Sequence, residues 1–187
     1  MKFLIAFIIL LTVIGAGLYL YYVESPYSSG VKRTIFGRLE SMKITTNAFE
    51  NNERFDPKYT CDAENINPSI TFFTVPVEAR SLALIVEDPD SPTGNFTHWV
   101  LFNINSLING FEENKIPEGA IEGVNDFGEP KYGGPCPNSG VHRYMFKLYA
   151  LDKMLELERG ATKQQVQEAM KGHIIEETQI IGLYEKQ

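Results

Sequence analysis

The sequence predicts a mostly β domain, a sandwich or barrel, behind an N-terminal apolar helix. Three observations carry that prediction. Short strand-like runs recur between clusters of Gly, Pro, Asn and Asp. A single segment bears helix signals at both ends, and residues 3–23 form an apolar run without a charge. Many strands with turn signals and little helix point to two packed sheets or one closed sheet.

The N-terminal run comes first. Phe3 to Val23 is 21 residues long, preceded by Lys2 and ended by Glu24. As a helix it would reach about 31 Å, enough to cross a hydrocarbon core of about 30 Å. The expectation is an uncleaved membrane anchor through residues 3–23. The alternatives are a cleaved signal peptide, with Gly15-Ala16-Gly17 as the small-residue site, and a buried helix of the fold. Tyr19, Tyr21 and Tyr22 suit the aromatic belt at a membrane surface. Lys2 favours an inside N-terminus, although Lys32, Arg33 and Arg38 after the span weaken that bias. The expected outcome is a domain outside the cytoplasm, anchored to the membrane, or secreted if the segment is cleaved. Residues 24–38 read as a linker that opens with the polar, turn-rich Glu24 to Gly30, and the domain occupies 39–187.

Within the domain, Ser41 to Thr45 and Ser69 to Phe73 read as strands flanking a loop from Pro57 to Ile66. Ser81 to Glu87 is nearly continuous in apolar residues, as for a strand buried on both faces. His98 to Ile104 follows, with His98, Val100, Phe102 and Ile104 expected on one face and Trp99, Leu101 and Asn103 on the other. Asn105 to Asn138, rich in Gly, Pro and Asn, carries weak strand signals. His142 to Leu151 is the next strand. Thr162 with Gln165 forms a capping-box pattern, and Gly172 stops the helix between them and Met170-Lys171. A last strand runs from His173 to Tyr184.

Charge removes one class of partner. The chain carries a net −7, and beyond residue 23 the balance is 16 basic residues against 24 acidic. Such a domain is a poor match for nucleic acid, whose binding rests on Lys and Arg neutralising phosphates. The two cysteines, Cys61 and Cys136, lie in loop-like sequence. A disulfide and two free thiols both remain open, and two cysteines without nearby further ligands make a poor zinc site.

Two segments carry the chemistry. Gly133-Gly134-Pro135-Cys136-Pro137 opens a loop that runs into the strand starting at His142. Its backbone N–H groups are expected to be bare, and period-2 alternation puts His142 and Tyr144 on one face beside it. The other segment, Glu87-Asp88-Pro89-Asp90-Ser91-Pro92, is a stiff turn that holds two carboxylates at the end of the buried strand. His98 opens the following strand. Arg143, on the opposite face from His142, is expected to pair with Asp88 or Asp90, and His173 reads as a helix-terminus residue.

Together these motifs resemble the phosphatidylethanolamine-binding protein family, which includes the Raf kinase inhibitor proteins. The residues that carry the resemblance are Asp88-Pro89-Asp90-Ser91-Pro92 after an apolar strand, His98 with its β run to Asn103-Ile104, and Gly133 to Tyr144. Tyr59-Thr60-Cys61-Asp62 and Asn65-Ile66-Asn67-Pro68 extend it toward the short bacterial and archaeal branch. The likeness spans roughly Met42 to Tyr184. It implies a β-sandwich with a few short helices and a small pocket for phosphate-like anions and phospholipid head groups. Asp88 and Pro92 would form an acidic wall, with Asp90 in the same turn. His98 would reach in, Gly134 and Pro135 would shape the loop, and His142 and Tyr144 would complete the rim. Animal members carry a C-terminal helix over the pocket mouth, which is not matched after Tyr184, so the site is expected to be open. A Raf-inhibitor role does not follow.

The functional expectation is therefore a binding protein for a small anionic ligand or phospholipid head group, without cofactor, metal or catalytic residue. The alternative is a protein-interaction module that inhibits a protease or another enzyme through the 105–138 stretch. An enzyme is the remaining reading. Against it, neither Ser nor Cys has a convincing base, and Cys136 lacks the helix N-terminus that would lower its pKa.

Overall fold

The computed structural model describes residues 40–186. The expected apolar helix at 3–23 and the linker at 24–38 lie outside the described residues. Among the described residues no helix is long and apolar enough to cross a membrane.

Nine strands and one α-helix make up the described residues, with a 3₁₀ turn at Pro57–Tyr59. The strands are β1 (Lys43–Thr46), β2 (Glu53–Arg54), β3 (Ile70–Phe73), β4 (Ser81–Asp88), β5 (Phe96–Asn105), β6 (Gly110–Phe111), β7 (Ile121–Gly123), β8 (His142–Leu151) and β9 (Ile174–Tyr184). The helix α1 is Lys163–Met170. One sheet has the order β1-β3-β6 and the other β2-β9-β8-β4-β5-β7. Strand β4 lies at the centre of the larger sheet and is buried along all eight residues, as its continuous apolar run requires. The sequence reading placed the long strands within a residue or two. It passed over β2, β6 and β7, which are too short to show a period.

Two apolar layers hold the domain. Between the sheets, Met42, Ile44, Ile70 and Phe72 pack against Leu82, Leu84, Trp99, Leu101, Phe146 and Leu148. On the other face of the large sheet, Val166 and Met170 of α1 cover Ala83, Ile85, Val100 and Phe102. Each large side chain buried this way contributes about 1.5–3 kcal/mol. The helix begins as expected: Thr162 accepts from the Gln165 amide while Gln165 returns the bond to the Thr162 backbone.

Strand β5 departs from simple alternation at two points. Val86 pairs with Trp99 but Glu87 pairs with Thr97, which leaves His98 as an extra residue; Leu82 pairs with Ile104 but Leu84 with Leu101. Asn103 takes a φ of 57°, and its side chain bonds both the backbone carbonyl and amide of Leu155. Each bulge shifts the facing by one. Ile104 therefore packs between the sheets with Trp99 and Leu101 rather than on the face of Val100 and Phe102. His98 likewise stands with Trp99 on the inter-sheet side, its ring 5.1 Å from that of Tyr144. Both outcomes correct the facing expected from sequence.

Cys61 and Cys136 form a disulfide with Cα atoms 5.4 Å apart, across 75 residues of chain. This decides between the alternatives left open by their spacing.

Candidate functional site

A cleft of about 360 Å³ opens where the β4–β5 turn meets the loop before β8, lined by Asp88, Pro92, Phe96, His98, Phe127 and His142, among others. The Asp-Pro-Asp-Ser-Pro turn builds one wall. Asp88 is buried at the end of β4 and accepts from the Asp90 amide at 2.8 Å, which closes the turn. Its other oxygen lies 2.7 Å from His142 Nδ1. A carboxylate is an acceptor, so Nδ1 carries the proton and donates. Asp88 thus fixes the His142 ring.

His98 is fixed in the same manner from the opposite side. The bulge turns its ring inward, and Nδ1 donates to the Gly133 carbonyl at 2.7 Å while the Gly133 amide donates to the His98 carbonyl at 3.0 Å. Burial holds the His98 pKa below the usual imidazole value, and the Gly133 carbonyl and Asp88 oppose that shift. In both rings Nε2 is the remaining polar atom, and it bears a proton only when the ring is cationic.

Tyr144 stands beneath the cleft and is fully buried. Its hydroxyl has no hydrogen-bond partner of acceptable geometry among the described residues, although the Cys136 amide is near enough to favour the phenolate slightly. Burial, then the Asp88 charge, push its pKa well up. A buried hydroxyl without a partner costs about 1–3 kcal/mol.

The other expected site residues stand elsewhere. Asp90 faces out and binds Arg143 through two hydrogen bonds of 2.7 and 2.8 Å, besides accepting from the Arg143 amide at 2.9 Å. The guanidinium holds the Asp90 carboxyl down at about 2. Arg143 is thereby committed away from the cleft. Gly134 and Pro135 do not line it. Gly134 donates its amide to Asn65 Oδ1 at 2.8 Å, and a Cβ there would lie 2.3 Å from the Tyr59 carbonyl oxygen. Pro135 accepts from the Cys61 amide at 3.1 Å. The expectation of bare loop amides is corrected at this point, since those of Gly133 and Gly134 are both engaged. The loop is a buttress clamped to residues 59–65 by these bonds, by Tyr132 donating to the Tyr59 carbonyl at 2.8 Å, and by the disulfide. His173, away from the cleft, bonds Asp152 at 2.8 Å.

The structure also brings in residues that sequence reasoning passed over. Ser91, Thr93 and Asn138 line the cleft with hydroxyl and amide donors, and Phe96 and Phe127 supply its apolar part. Phe127 follows Asn125-Asp126 and precedes Gly128, a turn signature that was legible as a turn but not as a wall of this cleft. Among the described residues no group of three or more His, Cys, Asp or Glu could hold a metal ion.

Known proteins share this fold. The profile of the phosphatidylethanolamine-binding protein family matches residues 45–185. A UPF0098 protein of Methanothermobacter thermautotrophicus is 51% identical over 150 residues, covering 78% of this chain and 99% of that protein. The crystal structure of a phosphatidylethanolamine-binding protein homologue from Chlamydia trachomatis superposes with a TM-score of 0.76 at 41% identity, over 79% of this chain and 99% of its own. Escherichia coli YbcL, described as a member of the mammalian family, gives a TM-score of 0.74 at 28% identity, over 79% and 100%. Matched by the family profile over residues 45–185 and by these relatives in sequence and fold, this chain belongs to the phosphatidylethanolamine-binding protein family.

Proposed function

We propose that this chain is a binding protein for a small phosphate-like anion, held in the cleft between His98 and His142, and that binding carries protons into the site. The observation that carries this reading is the pair of imidazoles. Each has Nδ1 committed as a donor, to Gly133 or to Asp88, and each lines the cleft. With both rings neutral, the titratable groups lining the cleft include no cation and one carboxylate, Asp88. An anion is then held well only when it brings a proton or when a ring takes one up, so that Nε2 becomes a donor. Phosphate monoesters suit this because their second ionisation falls near neutral pH. Ser91, Thr93 and Asn138 supply neutral donors around the same space.

We further propose that the domain acts outside the cytoplasm, tethered by residues 3–23, and that phospholipid head groups ending in a phosphate monoester are its source of anionic ligand. The disulfide supports an oxidising compartment. Anchoring would raise the effective concentration of lipid at the site without any new contact. Binding rather than turnover is the reading, because the loop cysteine that could have served as nucleophile is consumed in the disulfide. An inhibitory loop at 105–138 has less support. That stretch is tied back by Glu113 to Lys58 and Tyr59, by the Asn114 amide to Asn67, and by Asp126 to the Thr97 backbone.

Calorimetric titration of the full-length chain with inorganic phosphate, phosphoethanolamine and sulfate tests the ligand. Saturable phosphate binding that is lost in His98→Ala and in His142→Ala is expected. Binding that survives both substitutions would place the ligand elsewhere. Cell fractionation with protease protection tests the location, and a soluble, protease-shielded chain would refute it.

A further inference from the structure

Glu87 immediately precedes the Asp88 of the cleft wall but faces the other side of the sheet. In β4, Leu82, Leu84 and Val86 point between the sheets while Ala83 and Ile85 point toward α1. Alternation therefore sends Glu87 to the α1 side and Asp88 to the cleft. The Glu87 carboxylate is buried, with 2% of the side chain exposed, a place that an acid holds only when it is paired. Lys147 of β8 holds Oε1. Lys163, the first residue of α1, holds Oε2 at 3.1 Å, and Asn95 Nδ2 donates to the same oxygen at 2.8 Å. Lys163 Nζ also donates to the Asn95 carbonyl at 3.2 Å. One acid thus gathers β8, α1 and the residue that leads into β5.

These ties meet β5 at its bulge. Val86 pairs with Trp99, Glu87 with Thr97 and Asp88 with Phe96, so His98 is the extra residue. The backbone of Thr97 is spent away from β4: its amide donates to the Asp126 carboxylate at 2.6 Å, and its carbonyl accepts from the Asp126 amide at 2.9 Å. The Glu87 side chain instead grips the entry to β5, reaching diagonally past Thr97 to Asn95. Continuing the Val86–Trp99 register without a bulge would set His98 opposite Glu87, on the α1 face, and withdraw its ring from the cleft. The same slip would turn Asn95 to the face away from Glu87. The contacts among Glu87, Asn95 and Lys163 therefore belong to the bulged register alone.

We infer that Glu87 is a positioning residue for His98: from the far face of the sheet it locks, through Asn95 and Lys163, the register that aims the His98 ring into the cleft. This goes beyond the anion reading above and rests on it only for the effect on affinity.

The test follows the His98 ring by NMR in the full-length chain in detergent micelles. The rings of Phe96, Tyr144 and Phe127 have centroids 5.2, 5.1 and 5.4 Å from that of His98, so ring-current shifts of its carbon-bound protons report its facing without any ligand. Glu87→Gln removes the acid, and Asn95→Ala removes the tie at an exposed position, where folding is retained if loss of the buried acid is not tolerated. Val166→Ala, in the core beneath α1, is the control that destabilises without touching these contacts. Asn95→Ala, and Glu87→Gln where it folds, are expected to move the His98 shifts toward those of an exposed imidazole, while the control leaves them in place. Phosphate affinity is expected to fall about tenfold, the lower end of the cost of losing the support behind a metal-binding histidine. Unmoved His98 shifts in Asn95→Ala overturn the inference, as do equal movements in Val166→Ala. Shifts that move as expected in a chain that binds no phosphate uphold the positioning role and overturn the anion reading.

Discussion

Replacing Cys61 and Cys136 together with serine removes a cross-link that closes 75 residues of chain and leaves no stray thiol to re-pair. The size of the effect follows from loop closure. For a loop of that length the unfolded chain regains about 15 cal/mol/K, or about 4.5 kcal/mol at 25 °C. Domains of this size are stable by about 5–15 kcal/mol, so the loss is a large share of the total. Its effect on the site should be smaller. The loop that carries Cys136 is also held by Tyr132 on Tyr59, by the Gly134 amide on Asn65 and by the Cys61 amide on Pro135. Denaturant titration of the full-length double variant should show a midpoint lowered by the equivalent of about 3–5 kcal/mol. The unfolded chain, no longer cross-linked, should also expose more surface and give a steeper slope. Phosphate affinity should fall by less than about tenfold, because the neighbouring ties keep the wall in place. A loss below about 1 kcal/mol with an unchanged slope would refute this reasoning, since it would mean that the bridge constrains neither state.

Three further outcomes follow from individual contacts. Tyr144→Phe removes a buried hydroxyl that lacks a partner among the described residues, so the domain should gain up to about 1 kcal/mol in stability while phosphate affinity drops several-fold; a loss of stability would show the hydroxyl to be satisfied without ligand. Gly134→Ala drives a Cβ to 2.3 Å from the Tyr59 backbone oxygen, which cannot move aside cheaply, and should cost about 1–3 kcal/mol and weaken phosphate binding. Glu87 is buried, and although burial raises its pKa, Lys147 and Lys163 lower it more. Its ion-pair contribution should be fully present above the unfolded carboxylate pKa of about 4.3 and be lost as pH falls through the lower folded value. Acid unfolding curves of Glu87→Gln should therefore be flatter in that window than those of the unaltered chain.

Much of the fold was legible because the larger sheet is built from long strands. The apolar run at Ser81–Asp88 marks a strand covered on both faces, the alternation that opens His142–Leu151 sets the inward face of β8, and Thr162 with Gln165 marks the helix chemically. The facing of His98 was not legible. A bulge is decided by how two strands pair, and nothing at His98 itself signals that Val86 will meet Trp99 while Glu87 meets Thr97. The same limit applies to the Gly/Pro loop. Its composition announces irregular backbone, but that its amides bind Asn65 and His98 depends on partners 69 and 35 residues away. Asp88, Pro92, His98 and His142 do come together around one cleft, with Tyr144 beneath it. Asp90 serves the salt bridge behind that cleft, and Gly134 and Pro135 serve the buttress. Phe127 went unread because a half-exposed aromatic in a turn has ordinary local sequence.

The central claim is that two imidazoles, oriented through Nδ1, take a phosphate-like anion together with protons. Titration of inorganic phosphate into the full-length chain at pH 6 and pH 8, in buffers of differing ionisation enthalpy, tests it most directly. The account predicts tighter binding at pH 6 and net proton uptake at the pH where the rings begin neutral. It also predicts that His142→Ala lowers affinity at least tenfold and reduces the uptake. Binding with no proton exchange at either pH, or stronger binding at pH 8, would contradict it.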